Sequence, residues 1–389
     1  ESSQSPGRLE LQGEIVTVRY CPGIARYPSS CQLLVALAAC LGCSAVHAEG
    51  VTWEGGITTV YQDTDDSRAD AELTASADLF ATLEQERGEW LLYIEASSAP
   101  DSNGVSAFYP TVNGDAGSVL TAGGDGGAQV SEFNYTFLLE DNRSLMLGLI
   151  DPSAWLDRGR IANDENKHFL NGSFVNNATI AFPDYTLGGL FRVLGNGRRP
   201  EITVVISGSD GIADTPDRSY QDLLDLNEDG RGVFLGTGAS WLNDRTSWRI
   251  GAWFRNDGQD VEGNIADDEI NYGAYGVFGW LSGADAINVR AGMANSDGSA
   301  ADRFLAVAYQ RKTQFGVLGI GAADTRIASG FSGPGRDDAL DSEIYFRIPV
   351  RAGAGHITPS NQYVEVPVVD AIDSEPSAFV AGVRFHWSF

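Results

Sequence analysis

The chain ends in AFVAGVRFHWSF (Ala378–Phe389), where large apolar residues alternate with small or polar ones. Alternate side chains of an extended strand lie on opposite faces, so Phe379, Phe385 and Trp387 would share one face and Arg384 would lie on the other. A soluble β-sandwich buries such an apolar face in its core, whereas a bacterial outer-membrane barrel turns it toward lipid. One strand leaves both architectures open, and the rest of the chain decides between them.

Composition and charge narrow the class of protein. Hydrophobic residues make up 43% of the chain and glycine occurs 46 times, which fits a membrane barrel better than a soluble enzyme. The longest apolar run, Leu33–Leu41, is shorter than the roughly 18 to 20 residues that a helical span needs. A net charge of −27 argues against a nucleic-acid partner. Acidic outer loops would suit divalent cations and lipopolysaccharide, although a plain solvated surface is the commoner meaning.

The first 48 residues have the features of a removable leader. Arg19 and Arg26 precede the apolar run, and Val46–Ala48 forms a small-x-small cleavage site, so the mature chain is predicted to begin at Glu49. We therefore assign residues 1–48 to an N-terminal extension with a signal peptide, and residues 49–389 to a single barrel domain.

Cysteine use agrees with export. All four cysteines lie before Glu49, so the predicted mature chain contains none and avoids wrong disulfides in an oxidising periplasm. Cys43 could instead anchor a lipoprotein. That alternative is less favoured, because Cys40 stands where a leucine is expected.

Period-two stretches recur along the mature chain and predict an even number of strands. An even count is what single-chain bacterial barrels require. The sixteen predicted strands are residues 51–62, 71–84, 89–97, 130–140, 144–150, 185–194, 201–208, 232–242, 247–256, 270–282, 286–296, 302–311, 315–326, 341–351, 356–367 and 377–389.

The connections between these strands alternate in length. Every second one is short and turn-like, as at 85–88 or 283–285, while all the long segments fall between them. Short periplasmic turns and longer outer loops produce this alternation in a barrel, and a soluble sandwich has no reason for it. The fold class predicted is therefore an all-β, 16-stranded antiparallel transmembrane β-barrel, with the C-terminal Phe389 available to the barrel assembly machinery.

Sixteen strands enclose a lumen too wide for side chains to fill, so the polar face is expected to line a wet channel. Acid on one wall and arginine on the other would set a transverse field and hydrogen-bond sugar hydroxyls, while aromatic faces would stack on pyranose rings. The alternative is that these residues only form salt bridges that hold the wall. The predicted pore-lining residues are Arg192, Arg249, Trp253, Arg255, Arg290, Tyr345, Arg347 and Arg384, together with Glu72, Asp78, Glu84, Glu95 and Glu132.

Two outer loops, 98–129 and 151–184, are far longer than the others, and loops of such length are usually functional. The second mixes aromatic with polar residues, so we expect it to fold into the lumen and narrow the pore. An ordered surface cap is the alternative. The predicted constriction residues are Trp155, Asp157, Asn163, Asp164, His168, Phe169, Asn171, Phe174, Asn176 and Asn177.

This loop also carries a family resemblance. GLIDPSAWLD (Gly148–Asp157) and HFLNGSFVNN (His168–Asn177), followed later by ITPSNQYV (Ile357–Val364), resemble the carbohydrate-selective porin family of the OprB type. The resemblance implies a channel in the outer membrane of a Gram-negative bacterium that passes small sugars and related solutes. It leaves the preferred sugar open, and also the choice between a monomer and a homotrimer.

Other functions were weighed against a channel. A few outer-membrane barrels are hydrolases, but His168, His356 and His386 lie in no nucleophile or metal motif. The segment Asp225–Gly230 resembles a calcium loop without its full ligand spacing. We therefore predict no enzyme activity, no cofactor and no metal site. An outer-membrane barrel hydrolase, a general non-selective porin and a pore-less adhesive barrel remain the alternatives.

Overall fold

The alternating stretches form strands because extended residues with one apolar face pair well in a sheet. The computed structural model describes residues 50–140, 142–196, 199–214, 218–224, 232–256, 270–328, 338–350, 354–365 and 377–389, so the predicted leader lies outside the described part. Within it there are sixteen strands, and each begins and ends within three residues of its predicted bounds. They are β1 Val51–Thr64, β2 Glu72–Gln85, β3 Gly88–Ser97, β4 Gly127–Leu139, β5 Arg143–Ile150, β6 Thr186–Val193, β7 Glu201–Gly208, β8 Val233–Leu242, β9 Thr246–Arg255, β10 Asn271–Ser282, β11 Asp285–Ala294, β12 Ala301–Lys312, β13 Val317–Ile327, β14 Asp338–Val350, β15 Gly355–Glu365 and β16 Ser377–Ser388.

The sheet closes on itself. Each strand pairs antiparallel with its neighbour in sequence, and β1 also pairs with β16, from Gly56 opposite Ser388 to Thr64 opposite Val380. Two backbone hydrogen bonds of 3.1 and 3.0 Å between Gly55 and Phe389 complete the seam. Closure leaves no strand edge with unpaired backbone groups, which is the condition for a sheet to sit in lipid.

The two faces of the wall differ as the sequence predicts. On β16 the side chains of Phe379 and Val383 are 57% and 46% exposed, whereas Val380 and Arg384 are 0% and 1% exposed. On β2 the neighbours Leu73 and Glu72 are 65% and 2% exposed. The apolar set therefore faces outward along the wall, as on a transmembrane barrel. The prediction of a sixteen-stranded outer-membrane-type barrel is confirmed.

Short and long connections lie at opposite ends of the barrel. Turns such as those joining β2 to β3 and β10 to β11 contain two residues, and the end that carries them is called the short-turn end below. The other end carries the connections 98–126 and 151–185, called the first and second long loops. The expected alternation of connections is thus observed.

Among the described residues, the helices are short and lie in the connections between strands. Two of them, α1 (Val105–Phe108) and α2 (Ser153–Leu156), have four residues each, and three further segments form single 3-10 turns. No helix among the described residues is long and apolar enough to cross a membrane.

Candidate functional site: the loop-filled barrel interior

The second long loop lies inside the barrel. Its aromatic residues Phe169 and Phe174 are fully buried, with ring centroids 4.6 Å apart, and they pack against Tyr345 and small residues of the inner wall. Apolar contacts of this kind hold the loop at one position on the inner wall, whereas a fully polar loop in a wet lumen would lack them.

The loop has almost no secondary structure, so its buried backbone groups need partners elsewhere. Wall arginines provide many of them. Arg249 donates to the carbonyls of Trp155 and Leu156, the second at 3.1 Å, and Arg255 donates to Ala181 at 3.2 Å. These contacts hold the beginning and the end of the loop against β9.

The middle of the loop is held in the same way from the other side. Arg347 on β14 donates to the carbonyl of Lys167, and Arg384 on β16 donates to the carbonyls of Glu165 and His168, the second at 2.8 Å. These four arginines on β9, β14 and β16 therefore contact the beginning, the centre and the end of the loop.

Arg290 on β11 makes the densest set of contacts. It is fully buried, its Nε lies 2.9 Å from Oδ2 of Asp157, and its other nitrogens donate to the carbonyls of Asp157, Ala162 and Phe174 and to the side chain of Asn163. Burial raises the pKa of the Asp157 carboxyl to about 6, although Arg290 acts in the opposite direction. The carboxylate form therefore still predominates at neutral pH.

Wall acids that the sequence analysis did not select complete this network. Glu343 on β14 accepts hydrogen bonds from the backbone N–H groups of Leu170 and Asn171 at 3.1 and 2.9 Å, and Asp341 accepts one from the Ser173 hydroxyl at 2.5 Å. Both lie on the same face of β14 as Arg347. Alternation from Arg347 could have identified them.

The first long loop also enters the barrel, which the sequence analysis did not predict. Near α1, Val105, Tyr109 and Val112 are almost fully buried and pack against Val364, Ala378 and Val380 of the wall. The side chains of Gln62 and Gln362 both donate to the carbonyl of Val112, at 3.0 and 2.8 Å. The lumen is therefore partly filled by two loops rather than open across its width.

Several predicted pore-lining residues are consequently covered by the loops. Glu72 accepts hydrogen bonds from Ser106 of α1 and is 2% exposed, and Arg192 stacks on the Trp155 ring at 5.0 Å. Trp253 and Tyr345 are 3% and 1% exposed. These side chains point inward as alternation requires, yet they meet loop atoms. Strand alternation predicts that these side chains point inward, but it does not predict which loop residues cover them.

The remaining predicted loop residues mostly shape the loop itself. Asn163 accepts from the Gly159 N–H at 2.8 Å, and Asp164 caps the N–H groups of Asn166 and Lys167 and pairs with the Lys167 ammonium at 3.3 Å. Two asparagines also donate to the wall, since Asn171 donates to Gln362 and Asn177 donates to the carbonyl of Ala291. The Asn176 backbone closes a turn on Gly172, and the His168 N–H donates to the carbonyl of Asp164.

A cavity of about 570 Å³ remains between the second long loop and the β1–β3 wall, near the short-turn end. It is acidic and partly aromatic. The rings of Phe80 and Tyr93 are stacked at 4.2 Å with Tyr185 beside them, and the Tyr93 hydroxyl donates to Asp78 at 2.7 Å. Its carboxylates come from both wall and loops, namely Glu54, Asp78, Glu95, Asp115, Asp164 and Glu165.

Three of these carboxylates belong to the loops, and burial raises the pKa of two of them. Burial raises the pKa of Asp115 to about 7, with Asp78 adding to the effect, and burial raises the pKa of Glu165 to about 8, with Asp115 adding to it. Both groups therefore change charge near neutral pH. The rings of the strand residues His356 and His386 lie beside this cavity with their centroids 5.0 Å apart, and His386 lines it.

A second cavity, of about 620 Å³, lies against the β6–β10 wall. It is basic, since Arg158 and Arg160 of the loop meet Arg192 and Arg249 of the wall, with Glu201 as the acid. The closed strand order places β2 and β9 on opposite sides of the barrel. The loop thus separates an acidic cavity from a basic one.

No group of three or more potential metal ligands occurs in the part of the chain that the structure describes. The calcium-like segment Asp225–Gly230 lies outside that part.

Comparisons with known proteins agree with this geometry. No family model matches the chain, and no curated protein matches it by sequence. Among solved structures, Pseudomonas putida OprB at high pH has a TM-score of 0.66 at 13% identity, covering 87% of this chain and 94% of that one. The outer membrane channel DcaP of Acinetobacter baumannii has a TM-score of 0.52 at 11% identity, covering 87% and 97%. A variant of the Rh. blastica porin has a TM-score of 0.53 at 11% identity, covering 87% and 100%. At these identities the likeness concerns the fold, and the chain has the fold of an outer-membrane porin.

Proposed function

We propose that the chain is a porin in the outer membrane of a Gram-negative bacterium, with a water-filled path for the diffusion of sugars and other small hydrophilic solutes. The observation that carries this proposal is the second long loop inside a closed barrel, with a polar cavity on either side of it. Such a loop narrows a path without closing it, which is how size selection arises in a passive channel.

The acidic cavity supports sugars as a solute class. Stacked aromatic rings suit the apolar face of a pyranose, and nearby carboxylates accept hydrogen bonds from its hydroxyl groups. Phe80, Tyr93 and Tyr185 supply the rings, while Asp78 and Glu95 supply the acceptors. We propose these five as solute contacts, with Arg158 and Arg160 of the basic cavity on the opposite side.

Liposome swelling with the purified full-length chain tests the proposal. We expect sugars to enter faster than amino acids of similar mass, and planar bilayers to show discrete channel openings. Absence of conductance would contradict the channel itself. Equal swelling rates for all small solutes would favour a general non-selective porin instead.

A matched pair of variants tests the aromatic contacts. Tyr93→Ala removes a ring from the cavity. We therefore expect the ratio of the sugar entry rate to the amino-acid entry rate to fall below that of the wild type. Phe133→Ala removes an outward-facing ring that is 51% exposed to the membrane side, and it should leave that ratio unchanged. If both variants behave alike, the cavity aromatics do not recognise sugars.

Outer-membrane lipid with lipopolysaccharide, and the barrel assembly machinery acting at Phe389, remain proposed partners. Whether the barrel acts alone or as a homotrimer can be measured by native mass spectrometry in detergent.

A further inference from the structure

The wall arginines contact the second long loop through its backbone, and this sets them apart from charges that line an open pore. Arg249, Arg255, Arg290, Arg347 and Arg384 all donate to loop carbonyls. Carbonyl acceptors are present whatever the loop side chains are. The arginines are therefore suited to fix where the loop runs.

The accessibility of these groups points the same way. Arg290, Arg384 and Arg255 are 0%, 1% and 6% exposed, so a passing solute has little access to their guanidinium groups. Arginine is suited to such a task because its planar fork presents five donors in fixed directions and keeps its charge at any working pH. A lysine offers three donors on one atom and cannot span several carbonyls.

Wall glycines provide independent evidence that the loop position is built into the barrel. A Cβ atom at Gly321 of β13 would lie 2.6 Å from the Phe174 ring and 2.9 Å from the Phe169 ring. A Cβ atom at Gly292 of β11 would collide with the side chains of Thr179 and Asn177. The wall leaves room for the loop at these points, and any larger residue would displace it.

We infer that these five arginines, with Arg290 at their centre, are positioning residues that set the width of the channel by fixing the second long loop. Arg249 also lines the basic cavity, whereas the buried Arg255, Arg290 and Arg384 are not charges that the solute meets. This inference rests on the proposed channel function. Pore size would then depend on the arginine–carbonyl contacts and on the room that Gly292 and Gly321 leave for the loop. Selection by solute charge would depend on the groups that face the two cavities.

Single-channel recording separates the two roles. Arg290→Lys keeps the positive charge but loses most of the donors, so we expect conductance to rise by about twofold as the loop loosens, with an unchanged reversal potential in a salt gradient. Arg290→Met should have the same effect on conductance. Wild-type conductance with Arg290→Lys, or a shift of the reversal potential in Arg290→Met alone, would overturn the inference.

A second test displaces the loop with an uncharged substitution. This test does not require the Arg290 variants to fold. Gly321→Leu should push the two phenylalanines off the wall and raise conductance without altering any charge. Ala322→Leu, one residue along on the outward face of the same strand, is the matched control and should conduct as wild type does. Unchanged conductance in Gly321→Leu would also overturn the inference, whereas a wild-type barrel without conductance would instead refute the proposed function.

Discussion

Nε of Arg290 and Oδ2 of Asp157 lie 2.9 Å apart in the fully buried centre of the barrel, and they join β11 to the second long loop. A buried ion pair is not in itself strong evidence for stability, because both ions lose their hydration. Here the arginine also satisfies three loop carbonyls. The pair therefore matters mostly for where the loop is held.

Asp157→Ala should release the loop. Removal of one partner leaves the other charge buried and uncompensated, at a cost of about 3 to 5 kcal/mol. Arg158 and Arg160 follow directly in sequence, so we expect trypsin to cut the folded barrel there, and mass spectrometry of the fragments measures it. Asp157→Asn keeps a side-chain oxygen at the same position, so trypsin should cut it more slowly than Asp157→Ala. Equal resistance of Asp157→Ala and wild type would show that other contacts suffice.

Glu343→Ala should loosen the centre of the loop. The carboxylate accepts the N–H groups of Leu170 and Asn171, and an unsatisfied buried donor costs about 1 to 3 kcal/mol. Amide hydrogen exchange at these two residues should become faster. Asp338→Asn, at the exposed start of the same strand, is the control and should leave both amides protected. Unchanged protection in Glu343→Ala would show that Arg384 and the phenylalanines hold the segment alone.

The sequence predicts the barrel well because the wall has a period of two residues. Each strand must place apolar groups on lipid and polar groups inside, so its position can be read from residues such as those of β16 without knowledge of its neighbours. The direction of Arg290 and Glu343 follows from the same rule. Strand ends shift by up to three residues because turn residues carry no such alternation.

The contents of the lumen could not be predicted in this way. The loops have no regular period, and their position depends on contacts between residues far apart in sequence, such as Arg384 with Glu165 or Gln62 with Val112. The glycine seat at Gly321 is likewise visible only with the loop in place. A long loop that contains many aromatic residues is predicted from the sequence to pack against other residues. The structure identifies the part of the wall that it packs on.

Val307→Arg should destabilise the barrel. Val307 lies midway along β12 with 45% of its surface exposed, while its neighbours Ala306 and Ala308 are buried inside. An arginine on the lipid face near the membrane centre costs about 2 to 4 kcal/mol. Urea unfolding in lipid vesicles measures the loss, and Val307→Leu should unfold as wild type does. If the arginine variant is equally stable, β12 does not present this face to hydrocarbon.

Ion selectivity should depend on pH because the acidic cavity titrates near neutrality. Burial places the pKa of Asp115 at about 7 and that of Glu165 at about 8. Both carboxyls are ionised at pH 9 and mostly protonated at pH 6, so acidification removes negative charge beside the path. We therefore expect the preference for cations, measured as the reversal potential in a potassium chloride gradient, to decrease as the pH falls from 9 to 6.

Glu165→Gln tests the origin of this dependence. Its neutral amide cannot titrate, and removal of the Glu165 charge also lowers the pKa of Asp115, because like charges favour protonation of each other. The cation preference of the variant should start lower at pH 9, and its remaining decrease should occur at a lower pH than in wild type. Glu86→Gln, in the exposed β2–β3 turn, is the matched control and should keep the wild-type profile. A profile in Glu165→Gln identical to wild type would place the titrating group outside the acidic cavity, and the carboxylates there would then not govern which ions pass.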